Sequence, residues 1–251
     1  MLFDSFGPYH IARLDALAAA CDLTALEFFE KSSEYSWGRI SSSGFKRVTL
    51  MGRNDVASGR ALAGALQAAL DSIRPDILFV PGWDSPGATT ALTWAMGSEM
   101  RVVVMSDSQE RDAPRSRPKE WVKRQILSQT DGMFVAGSRH RDYAISLGMP
   151  PDRIRMGYDV VDNDHFTRGA TAARREGVRP LERPYFLASA RFLPRKNIIG
   201  LLRGYARHRG TQPDVAPDLV VMGDGPEREA IETEVAALGL CHAAHLPALL
   251  P

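Results

Sequence analysis

Arg191 and Lys196 stand five residues apart in the stretch Arg191-Phe192-Leu193-Pro194-Arg195-Lys196-Asn197. A guanidinium and an ammonium at this spacing, beside a helix N-terminus, can seat a diphosphate. The stretch falls between an apolar run, residues 185–190, and an amphipathic pattern that begins near Asn197 and aligns Ile198, Leu201, Leu202 and Tyr205. A loop joining such a strand to such a helix opens at the C-terminal edge of a sheet, where doubly wound α/β proteins bind their ligands. A second turn of this kind, Gly223-Asp224-Gly225-Pro226-Glu227, follows the apolar run 219–222. Gly223 and Gly225 would let the backbone approach a nucleotide, and Glu227 falls in the first helical turn. Each feature has a plainer reading, as exposed loop cations or as glycines of a helix-start turn whose glutamate complements the dipole. Their recurrence one βα unit apart points to a nucleotide-diphosphate site.

The first half offers further polar groups at strand ends. Met1-Leu2-Phe3 reads as a short first strand, Gly7 lies in the loop that follows it, and His10 opens the next helix, either as a helix-start histidine or as an active-site group. Trp83 and Asp84 follow the run 77–80, and Ser106-Asp107-Ser108 follow the run 102–105, so both segments are expected at the same sheet edge. Residues 111–124 mix both charge signs and read as a solvated helix and loop face, within which Arg111, Asp112 and Arg115 could meet a polar acceptor.

Short β-rich runs at 25–29, 48–50, 77–80, 102–105 and 133–136 alternate with helical patterns at 10–21, 56–73, 89–96, 119–129 and 139–147. Ser138 is the expected N-cap of the last of these, and Gly148 its stop. This alternation predicts a mainly parallel sheet with helices on both faces. Residues 167–184 are rich in Arg, Ala and Gly, show no apolar periodicity, and read as an exposed linker. The expected division is therefore 1–166, a boundary at 167–184, and a second unit at 185–251. A helix with Pro226 as its first residue aligns Ile231, Val235 and Leu238, and a last strand-like piece covers 243–246.

At 251 residues, 44% apolar and 24% charged, the chain has ample material for two globular units. A net charge of +1 argues against a polyanionic partner such as nucleic acid. Cys21 and Cys241 lack metal spacing and read as buried thiols in a reducing compartment. With no signal-peptide pattern and no membrane-spanning run, the expectation is a cytoplasmic protein, with peripheral membrane contact left open.

The order of these segments resembles the retaining glycosyltransferases of the GT-B fold, glycosyltransferase family 4, which includes glycogen-synthase-like and sucrose-synthase-like enzymes. The resemblance is carried by RFLPRKN at 191–197, GDGPERE at 223–229, GYDVVDNDHF at 157–166, FGPYHIARL at 6–14 and SDSQERDAPRSRPKEWVKR at 106–124. It implies two Rossmann-like α/β units and transfer of a sugar from a nucleotide-sugar donor to an acceptor, without cofactor or metal. In the family the cations matching Arg191 and Lys196 hold the donor diphosphate, and the loop of Gly7 faces it. Gly223, Gly225 and Glu227 complete the donor side; Trp83, Asp84, Ser106 and Asp112 are acceptor-side candidates. Relatives carry a histidine in the loop matching 106–108. Here Asp107 stands in that loop, and with His10 it is a candidate for a catalytic role that is otherwise unassigned.

The family also carries two glutamates eight positions apart, beyond the point matching Leu246-Pro247. The resemblance therefore implies an incomplete second unit, a poor enzyme on its own, with an unpaired strand edge and apolar faces near Val220 and Ile231 open to a covering partner. The alternatives are a nucleotide-sugar epimerase of similar fold, or a non-catalytic remnant that binds a nucleotide or a partner. A dehydrogenase is disfavoured, because no G-x-G-x-x-G follows a strand near either unit's start.

Overall fold

The computed structural model describes residues 1–30, 44–52, 59–98, 100–178, 181–211 and 216–247. The start of the second expected helix, at 56–58, lies outside the described residues. The chain divides into two compact units, Met1–Asn163 and Asp164–Pro251.

The first unit runs β1 (Leu2–Phe3), α1 (Pro8–Ala18), β2 (Thr24–Phe29), β3 (Lys46–Met51), α2 (Gly59–Ile73), β4 (Ile77–Pro81), α3 (Pro86–Met96), β5 (Arg101–Ser106), α4 (Arg117–Ser128), β6 (Gly132–Val135), α5 (Ser138–Ser146) and β7 (Ile154–Met156). Among the described residues every strand pair is parallel, in the orders β3-β2-β1 and β4-β5-β6-β7, and β1 packs beside β4. Strand order thus reverses between β1 and β4, which makes the C-terminal ends of those two strands the switch point of a doubly wound sheet. Leu66, Leu70, Leu78, Val80 and Val104 fill the core between α2 and the strands, while Ile11, Leu14 and Ala25 bury α1 on the other side.

The second unit runs α6 (Asn163–Arg175), β8 (Tyr185–Ser189), α7 (Ile198–Thr211), β9 (Asp218–Met222), α8 (Arg228–Ala237) and β10 (Ala244–His245), with α6 beginning at the boundary residue. Its strands are parallel in the order β10-β9-β8, and its core gathers Phe192, Leu202, Tyr205, Leu219, Val221 and Ile231.

Several expectations need correction. The segment read as a linker is helical in its first part: α6 buries no residue, so no apolar stripe announced it, and its alanines and arginines favour a helix by propensity alone. β7 was not foreseen, because Ile154 is the one buried residue of its three. Gly137, not Ser138, is the N-cap of α5, and α8 starts at Arg228 with Glu227 as N-cap, so Pro226 lies in the preceding turn. Both cysteines are exposed, at turns after α1 and α8. Val220 and Ile231 are buried, and the exposed apolar side chains of the second unit's sheet are instead Phe186 (47%) and Leu187 (56%) on the edge strand β8. Among the described residues no helix is long and apolar enough to cross a membrane.

Candidate functional site

In the first unit the polar groups collect at the switch point. Asp4, directly after β1, shares a hydrogen bond with Ser85 and feels the charge of Asp84, both from the loop after β4. Lost hydration raises the Asp4 carboxyl above its usual range, Asp84 adds to the rise, and the Ser85 hydrogen bond opposes it. Ser85 also caps α3, its hydroxyl accepting from the Ala88 amide at 3.2 Å. The loop between β1 and α1 is pinned from beneath by Glu27, which is fully buried in the apolar strand β2. One Glu27 oxygen accepts from the Phe6 amide at 3.0 Å. The other accepts from Arg47 Nη2 and Thr49 Oγ1, each at 2.7 Å. The Arg47 guanidinium also stands 4.9 Å over the Phe6 ring, so a buried ion pair and an aromatic contact fix the loop that carries Gly7.

Gly7 is the N-cap of α1, and its amide donates to Nδ1 of His10 at 3.0 Å. The His10 ring lies 4.6 Å from that of Phe3. Burial, reinforced by the nearby Arg13 cation and opposed by Asp159, lowers the His10 pKa to about 4. The imidazole is therefore neutral near pH 7 with Nδ1 occupied, and what it can offer a ligand is an Nε2–H donor rather than a base. Arg13 donates to the carbonyl of Tyr158, pairs with Asp159 at 3.5 Å, and stacks 5.4 Å from the Tyr158 ring. Burial pushes the Tyr158 hydroxyl up to about 12, with Asp107, Asp159 and Asp4 adding to the rise and Arg13 opposing it. His10 and Asp107 therefore belong to one electrostatic neighbourhood, together with Asp4, Arg13 and Tyr158.

The remaining first-unit candidates have local duties. Ser106 is buried and its hydroxyl accepts from the Ser108 amide at 3.2 Å, so it shapes the loop after β5. Asp112 accepts from the Gln109 amide at 2.8 Å and caps a short turn. Trp83 packs against the first unit's core and faces Lys123, whose ammonium lies 5.8 Å from the ring, while Asp84 stays exposed.

In the second unit the two expected loops interlock. The Phe192 amide donates to the Asp224 carbonyl at 2.8 Å, and the Glu227 amide donates to the Phe192 carbonyl at 3.1 Å. Arg228 donates to the Gly223 carbonyl at 2.7 Å and to the Asp224 carboxylate at 2.9 Å, and lies 5.2 Å over the Phe192 ring. The glycines have their reason here. A Cβ on Gly223 would fall 2.0 Å from the Ala190 carbonyl oxygen, and one on Gly225, at φ +150°, 2.7 Å from that of Phe192. Arg191, half-buried, and Lys196, exposed, both stand on the loop leaving the C-terminal end of β8. That loop ends at Asn197, whose φ of +51° turns the chain and whose side chain accepts from the Gly200 amide at 3.3 Å, capping α7.

Asp4, Arg13, Glu27, Ser85, Tyr158 and Arg228 were not singled out from sequence. The available signals were a lone glutamate within the apolar run of β2 and the arginine of GDGPERE. Among the described residues no group of three His, Cys, Asp or Glu side chains converges as a metal site requires.

Fold and loops together define a class, Rossmann-like α/β units of the GT-B type. Residues 37–159, just under half of the chain, match the model of the glycosyl transferase 4-like domain. Among solved structures it is similar to Anabaena HepE in complex with UDP and glucose, with a TM-score of 0.65 at 12% identity over 98% of this chain and 66% of that one. The lipopolysaccharide outer core galactosyltransferase WaaB in its apo form gives a TM-score of 0.57 at 13% identity over 99% and 66%. UDP-GlcNAc 2-epimerase from Neisseria meningitidis bound to UDP-GlcNAc gives 0.51 at 13% identity over 84% and 59%. The chain thus spans two thirds or less of the length of these three proteins. No curated protein matches it.

Proposed function

We propose that the protein is a glycosyltransferase that moves a sugar from a nucleotide-diphosphate donor to an acceptor, with retention of configuration and without a metal ion. The observation that carries this reading is the interlocked pair of loops at the C-terminal ends of β8 and β9, which fixes the segment bearing Arg191 and Lys196 beside the capped start of α7. As the sugar leaves its carrier, negative charge grows on the departing diphosphate, and fixed cations and helix-terminal amides stabilise that charge without reorganising. Gly223, Gly225 and Glu227 support the donor site by locking the second loop against the first. The switch-point groups Asp4, Asp84, Asp107 and the Nε2–H of His10 supply the acceptor side, with Trp83 as an apolar wall, and the work is done in the cytoplasm.

The test is titration with UDP, the nucleotide bound in the HepE complex. Arg191→Ala and Lys196→Ala should each weaken binding by about 1.5–3 kcal/mol, the worth of a charge-assisted hydrogen bond. Unchanged affinity in both variants refutes the donor site. Because an epimerase is among the structural neighbours, the protein should also be incubated with UDP-GlcNAc and no acceptor. Conversion of the donor to its epimer under those conditions would replace transfer with epimerisation.

A further inference from the structure

Helix α4 presents two unlike faces. The inner face is locked by Leu127 and by a polar cluster in which Lys123 donates to Glu120 at 2.8 Å and to the Tyr143 hydroxyl at 2.7 Å. Arg115 stacks 4.7 Å from the Tyr143 ring, which ties the preceding loop to the same cluster. The outer face carries Trp121, 62% exposed, and Val122, 49% exposed. Around them stand the exposed cations Arg117, Lys119 and Arg124. Residues 111–125 hold six cations against two carboxylates, in a chain whose net charge is only +1. Within α4 the one carboxylate, Glu120, is half-buried and paired with Lys123, whereas Arg117, Lys119 and Arg124 are exposed, so the outward field of the helix is positive.

We propose that the outer face of α4 docks on an anionic lipid surface, with Trp121 and Val122 entering the headgroup region and Arg117, Lys119 and Arg124 pairing with lipid phosphates. An apolar pair at the centre of a basic rim on a rigidly held helix is the arrangement that interfacial helices use. A nucleic-acid groove would need cations along its floor, and here the floor is indole and isopropyl. The proposal concerns a surface on one helix and does not depend on the chemistry assigned above.

The experiment is co-sedimentation of the full chain with vesicles of phosphatidylcholine alone and of an equal mixture of phosphatidylcholine and phosphatidylglycerol. Binding is expected to the mixed vesicles only, and to fall as salt rises. Arg117→Gln and Arg124→Gln should each weaken it by about fivefold. Trp121→Ser should weaken it by about tenfold. Val178→Ser, an equally exposed apolar side chain in the second unit, serves as control and should leave binding unchanged. Circular dichroism confirms that each variant is folded. The proposal is overturned if mixed vesicles are not bound, if neutral vesicles bind equally well, if Trp121→Ser binds like the wild type, or if single-stranded RNA displaces the protein from vesicles and its binding shows the same arginine dependence.

Discussion

His10 ties the stability of the first unit to pH, and the size of the effect follows from its surroundings. Its pKa falls from an ordinary value of 6.5 to about 4 on folding. The unfolded chain therefore binds the proton more readily, and stability present above pH 6.5 is lost as pH falls toward 4. At pH 4.5 the unfolded imidazole is almost fully charged while the folded one is largely neutral, so the loss from this residue reaches about 2.5 kcal/mol. His10→Gln removes the titration and keeps the local structure, since a glutamine at this helical position can still accept from the Gly7 amide.

The assay is urea unfolding of both proteins at pH 7.5 and pH 4.5. Other groups also titrate: desolvation lowers the terminal amine of Met1 to about 6, and the Asp4 carboxyl is raised. The informative quantity is therefore the difference of differences. Wild type should lose about 2 kcal/mol more than His10→Gln between the two pH values, slightly under the full figure because part of the ring meets solvent. Equal losses would show that the folded imidazole charges freely, and the account of His10 as a neutral donor would fall with it.

Two further outcomes follow from the packing. Glu27→Ala should destabilise the first unit by about 3–5 kcal/mol, because it leaves the Arg47 charge without its buried partner and releases the Phe6 amide; a loss under 1 kcal/mol in urea unfolding would mean that the ion pair does not anchor the Gly7 loop. Gly225→Ala should cost the second unit about 3 kcal/mol, from a backbone angle that L residues avoid and from the clash with the Phe192 carbonyl. Gly64→Ala, within α2 and facing open space, should instead be neutral or stabilising by about 0.5–1 kcal/mol. Equal urea midpoints for the two glycine variants would contradict both assignments.

Elements written as apolar runs or stripes were legible in the sequence, β8 among them although none of its residues is buried, and elements without such a pattern were not. Strands such as β2, β5 and β9 are nearly continuous apolar runs because a parallel strand is covered on both faces, and each was located within a residue or two. β7, with one buried residue, and α6, with none, leave no such trace. The same division holds at the site. A loop at the C-terminal end of a strand can be found from local pattern alone, which is how Gly7, Asp84, Asp107, Arg191 and Gly223 came to notice. Its partners cannot, because the order of strands decides them: Asp4 meets Ser85 only because β1 lies beside β4, and Arg13 meets the Tyr158 carbonyl across 145 residues of chain. The glycines of GDGPE show the intermediate case. The close approach they permit is to the backbone around Ala190 and Phe192, and a bare G-x-G pattern does not distinguish a ligand from a neighbouring loop. In this fold the two readings are joined, since the loop that presses on Gly223 and Gly225 carries Arg191 and Lys196. Any substitution that pushes those loops apart should therefore displace the two cations from the turn.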